Sequence, residues 1–95
     1  MQVNITARNT ELTDVMKEYT HKKMEKLKPH EDIITHIKIV YHEENANTSA
    51  EGFINVPGEQ LIAKTKHETA HGAMDGLIDM LVRSILKYKS KQRNH

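Results

Sequence analysis

Two histidines and a glutamate stand where they could do metal chemistry. The stretch "KHETAHG" holds His67-Glu68-Thr69-Ala70-His71, a literal H-E-x-x-H. On a formed helix, imidazoles one turn apart share a zinc ion, and the glutamate between them activates a metal-bound water for peptide hydrolysis. That chemistry also needs a third protein ligand and a substrate cleft. The metzincin extension would put glycine at 74 and histidine at 77, where Met74 and Leu77 stand, and no pattern marks His21, His30, His36 or His42 as the missing ligand. With 7 histidines in 95 residues, the motif arises by chance in about one such sequence in twenty. A coincidental match is expected, with no catalytic residue, no metal and no cofactor.

The elements that would have to position these side chains come from a short chain. Its 95 residues predict one domain, residues 1–95, with little chain to spare for a cleft. The absence of cysteine excludes a disulfide framework and a thiolate metal site, and suits a reducing compartment. "MQVNITARN" lacks the charged-then-apolar layout of a signal peptide, and no apolar run approaches the ~18 residues of a membrane span. A soluble cytoplasmic protein is therefore expected. Net charge is only +1, from 14 basic and 13 acidic residues, so bulk charge names no partner.

Periodicity predicts the order β-α-β-β-β-α. "MQVNITA" alternates Val3, Ile5 and Ala7 against polar neighbours, as a half-buried strand does. "LTDVMKEYTHKKMEKLK" spaces Leu12, Val15, Met16, Tyr19 and Leu27 for a helix, with Thr13 as N-cap, Asp14 in the first turn and Pro29 just past the end. "IITHIKIVYH" gives a second strand through Ile37, Ile39 and Tyr41, and polar "EENANTS" is expected as a loop. "AEGFINV" and "QLIAKTK" flank Pro57-Gly58, which suits a type II turn, so these two strands form a hairpin. Last, Ala70, Met74, Leu77, Ile78, Leu81, Ile85 and Tyr88 trace one face of a long helix. One sheet face would then carry Val3, Ile5, Ile37, Ile39, Tyr41, Ile54, Val56, Leu61 and Ala63, giving a two-layer α+β domain: a four-stranded sheet with two helices packed on one face.

On this frame the charges segregate. Lys22, Lys23, Lys26 and Lys28 crowd the second half of the first helix, and Arg83, Lys87, Lys89, Lys91 and Arg93 the end of the second, behind Asp75 and Asp79. Cations at helix carboxyl ends complement the helix dipole, so solvated faces would explain the pattern. The functional alternative joins both ends into one stripe for a phosphate backbone. Phe53 and Tyr88 are the only rings expected at the surface, which argues against a single-strand stacking platform and for folded RNA read by shape. Two other classes stay open. A general structured-RNA-binding domain, like a double-stranded-RNA-binding module, usually runs α-β-β-β-α and opens its last helix with lysines, whereas here the basic run closes it. A protein-binding module would use Val40, Phe53 and Ile62 on the outer sheet face.

"MQVNITARN", the element order, and "AMDGLIDMLVRSILKYKSK" together resemble the short form of the ribosome hibernation-promoting factor family, related to the ribosome-associated inhibitor A and sigma-54 modulation proteins. The resemblance spans the chain, most specifically at Asn4-Ile5-Thr6 and at Asp75-Gly76-Leu77-Ile78-Asp79 with Leu81. It implies a non-enzymatic translation inhibitor that docks in the decoding region of the small ribosomal subunit, covers the mRNA and tRNA sites in resting or stressed cells, and favours ribosome dimers. The implied partners are that subunit and its ribosomal RNA, with the part of a second small ribosome modulation factor left open, and with no membrane or DNA. Carried over residue by residue, the implied RNA contacts are Lys23, Lys26, Arg83, Lys87, Lys89, Lys91 and Arg93. Met80 stands where similar proteins commonly have lysine, and Thr69-Ala70-His71 where they have Asp-Met-Tyr.

Overall fold

The computed structural model describes residues 1–93, with the Arg93 side chain outside the described part. The chain runs β1 (Val3–Arg8), α1 (Asp14–Met24), a 3-10 segment (Glu25–His30), β2 (His36–Glu44), β3 (Asn47–Val56), β4 (Glu59–His67) and α2 (Ala70–Arg93). The four strands form one sheet in the order β1-β2-β3-β4, as the alternation predicts. β1 pairs parallel to β2, and the β2–β3 and β3–β4 pairs are antiparallel.

Register puts the expected apolar set on one face. Ile5 lies opposite Ile39, Ile37 opposite Ile54, and Ile54 opposite Leu61. Ile37, Ile39, Tyr41, Ile54, Val56, Leu61 and Ala63 are buried there, while Val3 and Ile5 on the edge strand are half-buried. The expected face of α2 closes over them through Met74, Leu77, Ile78, Leu81 and Ile85. Gly52 lets the helix come this close, because a Cβ there would stand 2.9 Å from Leu81 Cδ1. Inside the core, Thr20 Oγ1 donates to the Met16 carbonyl at 2.7 Å, so the Tyr41 hydroxyl donates to Thr20 Oγ1 at 2.6 Å. Each buried hydroxyl is thereby satisfied.

Several sequence expectations are corrected. "EENANTS" is a tight turn between long strands, because Asn45 takes φ 56, a left-handed conformation that asparagine tolerates, and pairing continues through Glu44–Asn47. Thr13 caps α1 as expected, its Oγ1 accepting from Met16 N at 3.1 Å. The helix stops at Met24 and tightens into the 3-10 segment, which runs through Pro29 instead of ending before it. A proline at 29 in α geometry would clash with the carbonyl of Glu25, and the switch begins at that residue. Val15 is 61% exposed, since α1 turns Thr20 and Met24 inward. Tyr88 is buried, its hydroxyl donating to the Pro57 carbonyl at 2.6 Å, so it is no surface ring. Gly58, at φ 84, matches the expected type II turn. Among the described residues no helix is long and apolar enough to cross a membrane.

Candidate nucleic-acid interface

α1 with its 3-10 continuation runs beside α2 in the same direction. Contacts step along both together: Tyr19 meets His71 and Asp75, Lys23 meets Asp75, Lys26 shares a groove with Asp79 and Arg83, and His30 lies beside Lys89. The carboxyl ends of the two segments therefore share one end of the domain. The two basic runs, distant in sequence, lie side by side.

The groove between them is lined by Lys26, Asp79, Val82 and Arg83. Arg83 Nε donates to the Asp79 carbonyl at 3.3 Å, which leaves the guanidinium's terminal N–H groups without a hydrogen bond to the protein among the described residues. Lys26, Lys87 and Lys91 are exposed and have no ion-pair partner among the described residues. Lys89 is half-exposed. Burial pushes the His30 imidazole below its usual pKa and the neighbouring Lys89 charge adds to this, while His30 Nδ1 is buried with no hydrogen-bond partner. Arg93 closes α2, and its side chain lies outside the described residues.

Lys23 stands apart from the rest of the set. Its ammonium lies 3.1 Å from Asp75 Oδ1 and 5.4 Å from the centre of the Tyr19 ring, with the side chain 26% exposed. The Tyr19 hydroxyl donates to the same carboxylate. Those two donors, the hydroxyl first and Lys23 after it, hold Asp75 below the usual carboxylate range. In return, hydrogen bonding to Asp75 raises the pKa of Lys23 and of Tyr19. Lys23 is thus already neutralised by the protein. Spacing marked its charge, but nothing in sequence showed that Asp75, more than fifty positions later, would meet it.

The helix dipole explains part of this layout. Its effect falls off within the last turn, which suits His21, Lys22 and Lys23 in α1 and the basic residues closing α2. Arg83 lies ten residues before the end of α2, well outside that reach, and Lys26 follows the end of α1. The dipole does not account for these two cations.

The histidine motif does not form its helical geometry. His67 is the last residue of β4, while His71 lies in the first turn of α2. His67 Nδ1 accepts from Thr69 N at 3.4 Å, and its ring covers Gly72 so closely that a Cβ there would fall 2.2 Å from Nδ1. His71 packs edge-on against Tyr19, with ring centres 4.2 Å apart. Thr69 caps the helix between them, its Oγ1 accepting from Gly72 N at 3.0 Å. Two imidazoles one turn apart on a single helix, the premise of the zinc motif, are not present.

The chain matches known proteins along nearly its whole length. It is 33% identical over 95 residues to the ribosome hibernation promoting factor of Escherichia coli K12, covering all of both chains. It is 35% identical to that of Klebsiella oxytoca, again covering all of both, and 32% identical over 94 residues to that of Pseudomonas putida KT2440, covering 99% of this chain and 92% of the other. The fold is shared with a ribosomal subunit interface protein from Coxiella burnetii, at TM-score 0.89 and 23% identity over 95% of this chain and 99% of that one. The N-terminal domain of Thermus thermophilus Protein Y superposes at TM-score 0.84 and 24% identity, covering 93% and 99%. The family model described as Sigma 54 modulation protein / S30EA ribosomal protein matches residues 3–93. The chain belongs to that family.

Proposed function

We propose that this protein is a ribosome hibernation factor that binds the small ribosomal subunit in its decoding region, occludes the mRNA and tRNA sites, and favours inactive ribosome dimers. The names of its full-length relatives support the ribosomal role. The observation that carries the RNA contact is the same-direction course of α1 and α2, which gathers Lys26, Arg83, Lys87, Lys89 and Lys91 at one end. Arg93 extends that set along the chain, and Lys23 joins it where a phosphate displaces Asp75.

No covalent step is needed. Each cation that meets a phosphate releases condensed counterions, and the domain holds both helices rigidly on one sheet so that the charges arrive pre-arranged. Inhibition is then steric: a folded domain and an mRNA–tRNA pair cannot fill the same channel.

Co-sedimentation with isolated subunits tests this. The protein should travel with the small subunit and not the large one, resist competition by generic duplex RNA, and lose roughly a hundredfold or more in affinity between 50 and 200 mM salt for about 5 phosphate contacts. Equal binding to both subunits, or full displacement by any duplex, would make it a general structured-RNA binder instead.

A further inference from the structure

The helices cover one face of the sheet and leave the other open. Along that open face run Asn4, Thr6 and Arg8 of β1, His36, Lys38 and Val40 of β2, Glu51, Phe53 and Asn55 of β3, and Gln60, Ile62 and Lys64 of β4. Two shallow basins lie side by side on it. One is lined by His36, Lys38, Phe53, Asn55 and Gln60, the other by Thr6, Arg8, Lys38, Val40, Glu51 and Phe53. Lys38 and Phe53, directly opposite each other on β2 and β3, form the wall the basins share.

We propose that this open face binds an unpaired stretch of RNA, with a base stacked on Phe53 beside Asn55 and Gln60 and the backbone held by Lys38 and Arg8. The choice of RNA over DNA rests on the ribosomal reading above; the rest stands on the face itself. The first basin has a phenyl ring, an imidazole, a lysine and two carboxamides, and no carboxylate. Gln60 Nε2 donates to Asn55 Oδ1 at 2.8 Å, which fixes both amides and leaves the Asn55 N–H groups and the Gln60 carbonyl for a ligand. Phe53 makes no platform for a run of stacked bases, but a free donor and acceptor next to one ring suit the edge and face of a single nucleobase. In the second basin, Arg8 and Lys38 outnumber Glu51 and offer the next phosphate a net positive seat.

A protein partner fits this face less well. The centres of protein interfaces are depleted in charge, whereas here the half-buried Phe53 ring has Lys38 directly across the strand pair, and Ile62, 55% exposed, is followed on the same face by Lys64. A duplex fits less well still, because its bases are stacked inside and present no face to Phe53. The domain would then hold RNA on two sides: backbone by shape at the helix ends, and single strand on the sheet.

Binding of a fluorescein-labelled mixed A/U hexanucleotide RNA to the full chain, followed by anisotropy, tests the proposal, with amide shifts mapped in parallel. Phe53→Leu keeps the apolar packing but removes the ring and should weaken hexamer binding about tenfold, the worth of one stacked base. Lys38→Gln should weaken it several-fold, and shifts should cluster on β2 and β3. Unchanged affinity in both sheet variants, or shifts confined to α1 and α2, would overturn the assignment. If the hexamer fails to bind while the sheet variants weaken small-subunit binding, the face holds a ribosomal protein and the RNA assignment is wrong. Hexamer binding lost in the sheet variants supports the assignment even if the protein fails to sediment with the small subunit, an outcome that would sink the ribosomal reading alone.

Discussion

The hydroxyl of Tyr88, near the carboxyl end of α2, donates to the carbonyl oxygen of Pro57 in the β3–β4 turn at 2.6 Å. The bond pins the basic end of the helix to the tip of a hairpin. It sets where Lys87 and Lys89, on either side of Tyr88, stand relative to the sheet.

Replacing Tyr88 by phenylalanine should cost about 1 kcal/mol, and for a domain this small lower the melting temperature by about 4–8 °C. The loss stays modest because Pro57 is exposed and water can take over its carbonyl. A thermal melt of the two proteins measures it, and coincident curves would mean that the bond contributes nothing.

The sheet register makes Ile39 and Lys38 opposites. Ile39 is fully buried between β1 and β3, while Lys38 faces solvent. Ile39→Asp should unfold the domain, since an unpaired buried carboxylate costs several kcal/mol against a total stability of about 5–15 kcal/mol. Lys38→Asp should fold normally. Urea titration separates them, and equal midpoints would contradict the register.

Arg83 and Lys87 are the most direct test of the helix ends. Changing both to alanine should release the protein from the small subunit and flatten the salt dependence by about two phosphate contacts, with the melting temperature nearly unchanged. Charges that only keep the helix face solvated would behave differently, and their loss would leave both the affinity and its salt dependence unchanged.

Asp75 couples stability to pH in a defined direction. Its pKa is depressed in the folded state, so its contribution is present above the ordinary carboxylate range and lost as pH falls through the lowered value. Lys23, with its pKa raised, contributes at neutral pH and loses that contribution as pH rises through the elevated value. The gap in melting temperature between the native protein and Asp75→Asn should therefore be widest near neutrality and close at both extremes. The same variant removes the carboxylate that a phosphate must displace at Lys23, and should therefore tighten small-subunit binding. A gap that does not vary with pH would show that the ion pair is not its source.

Much of the architecture was legible because alternation and helical spacing speak for themselves where one face is buried: Ile37, Ile39 and Tyr41 announce β2, and Met74 through Ile85 announce α2. What was not legible depended on single backbone conformations or distant partners. The polarity of "EENANTS" suggested a loop, but one asparagine in a left-handed conformation suffices to reverse the chain. Tyr88 fitted the core stripe and also had a hydroxyl to satisfy, and only the position of Pro57 decides between burial and exposure. For the candidate site, sequence supplied the cations and missed their neighbours: Asp75 beside Lys23, the groove joining Lys26 to Arg83, and the basins around Phe53.

The mixed pairing of the sheet also sets the order in which the protein assembles. β2, β3 and β4 are joined by turns of two residues each, so their pairing closes only short loops. β1 can pair only with β2, joining residues as far apart as Val3 and Ile37 with α1 and the 3-10 segment lying between. The meander and α2 are therefore expected to form first, with the amino-terminal strand adding when α1 docks. Faults in the hairpins should therefore slow folding, faults in β1 should hasten unfolding, and the amides of β1 should be the first in the sheet to exchange with solvent.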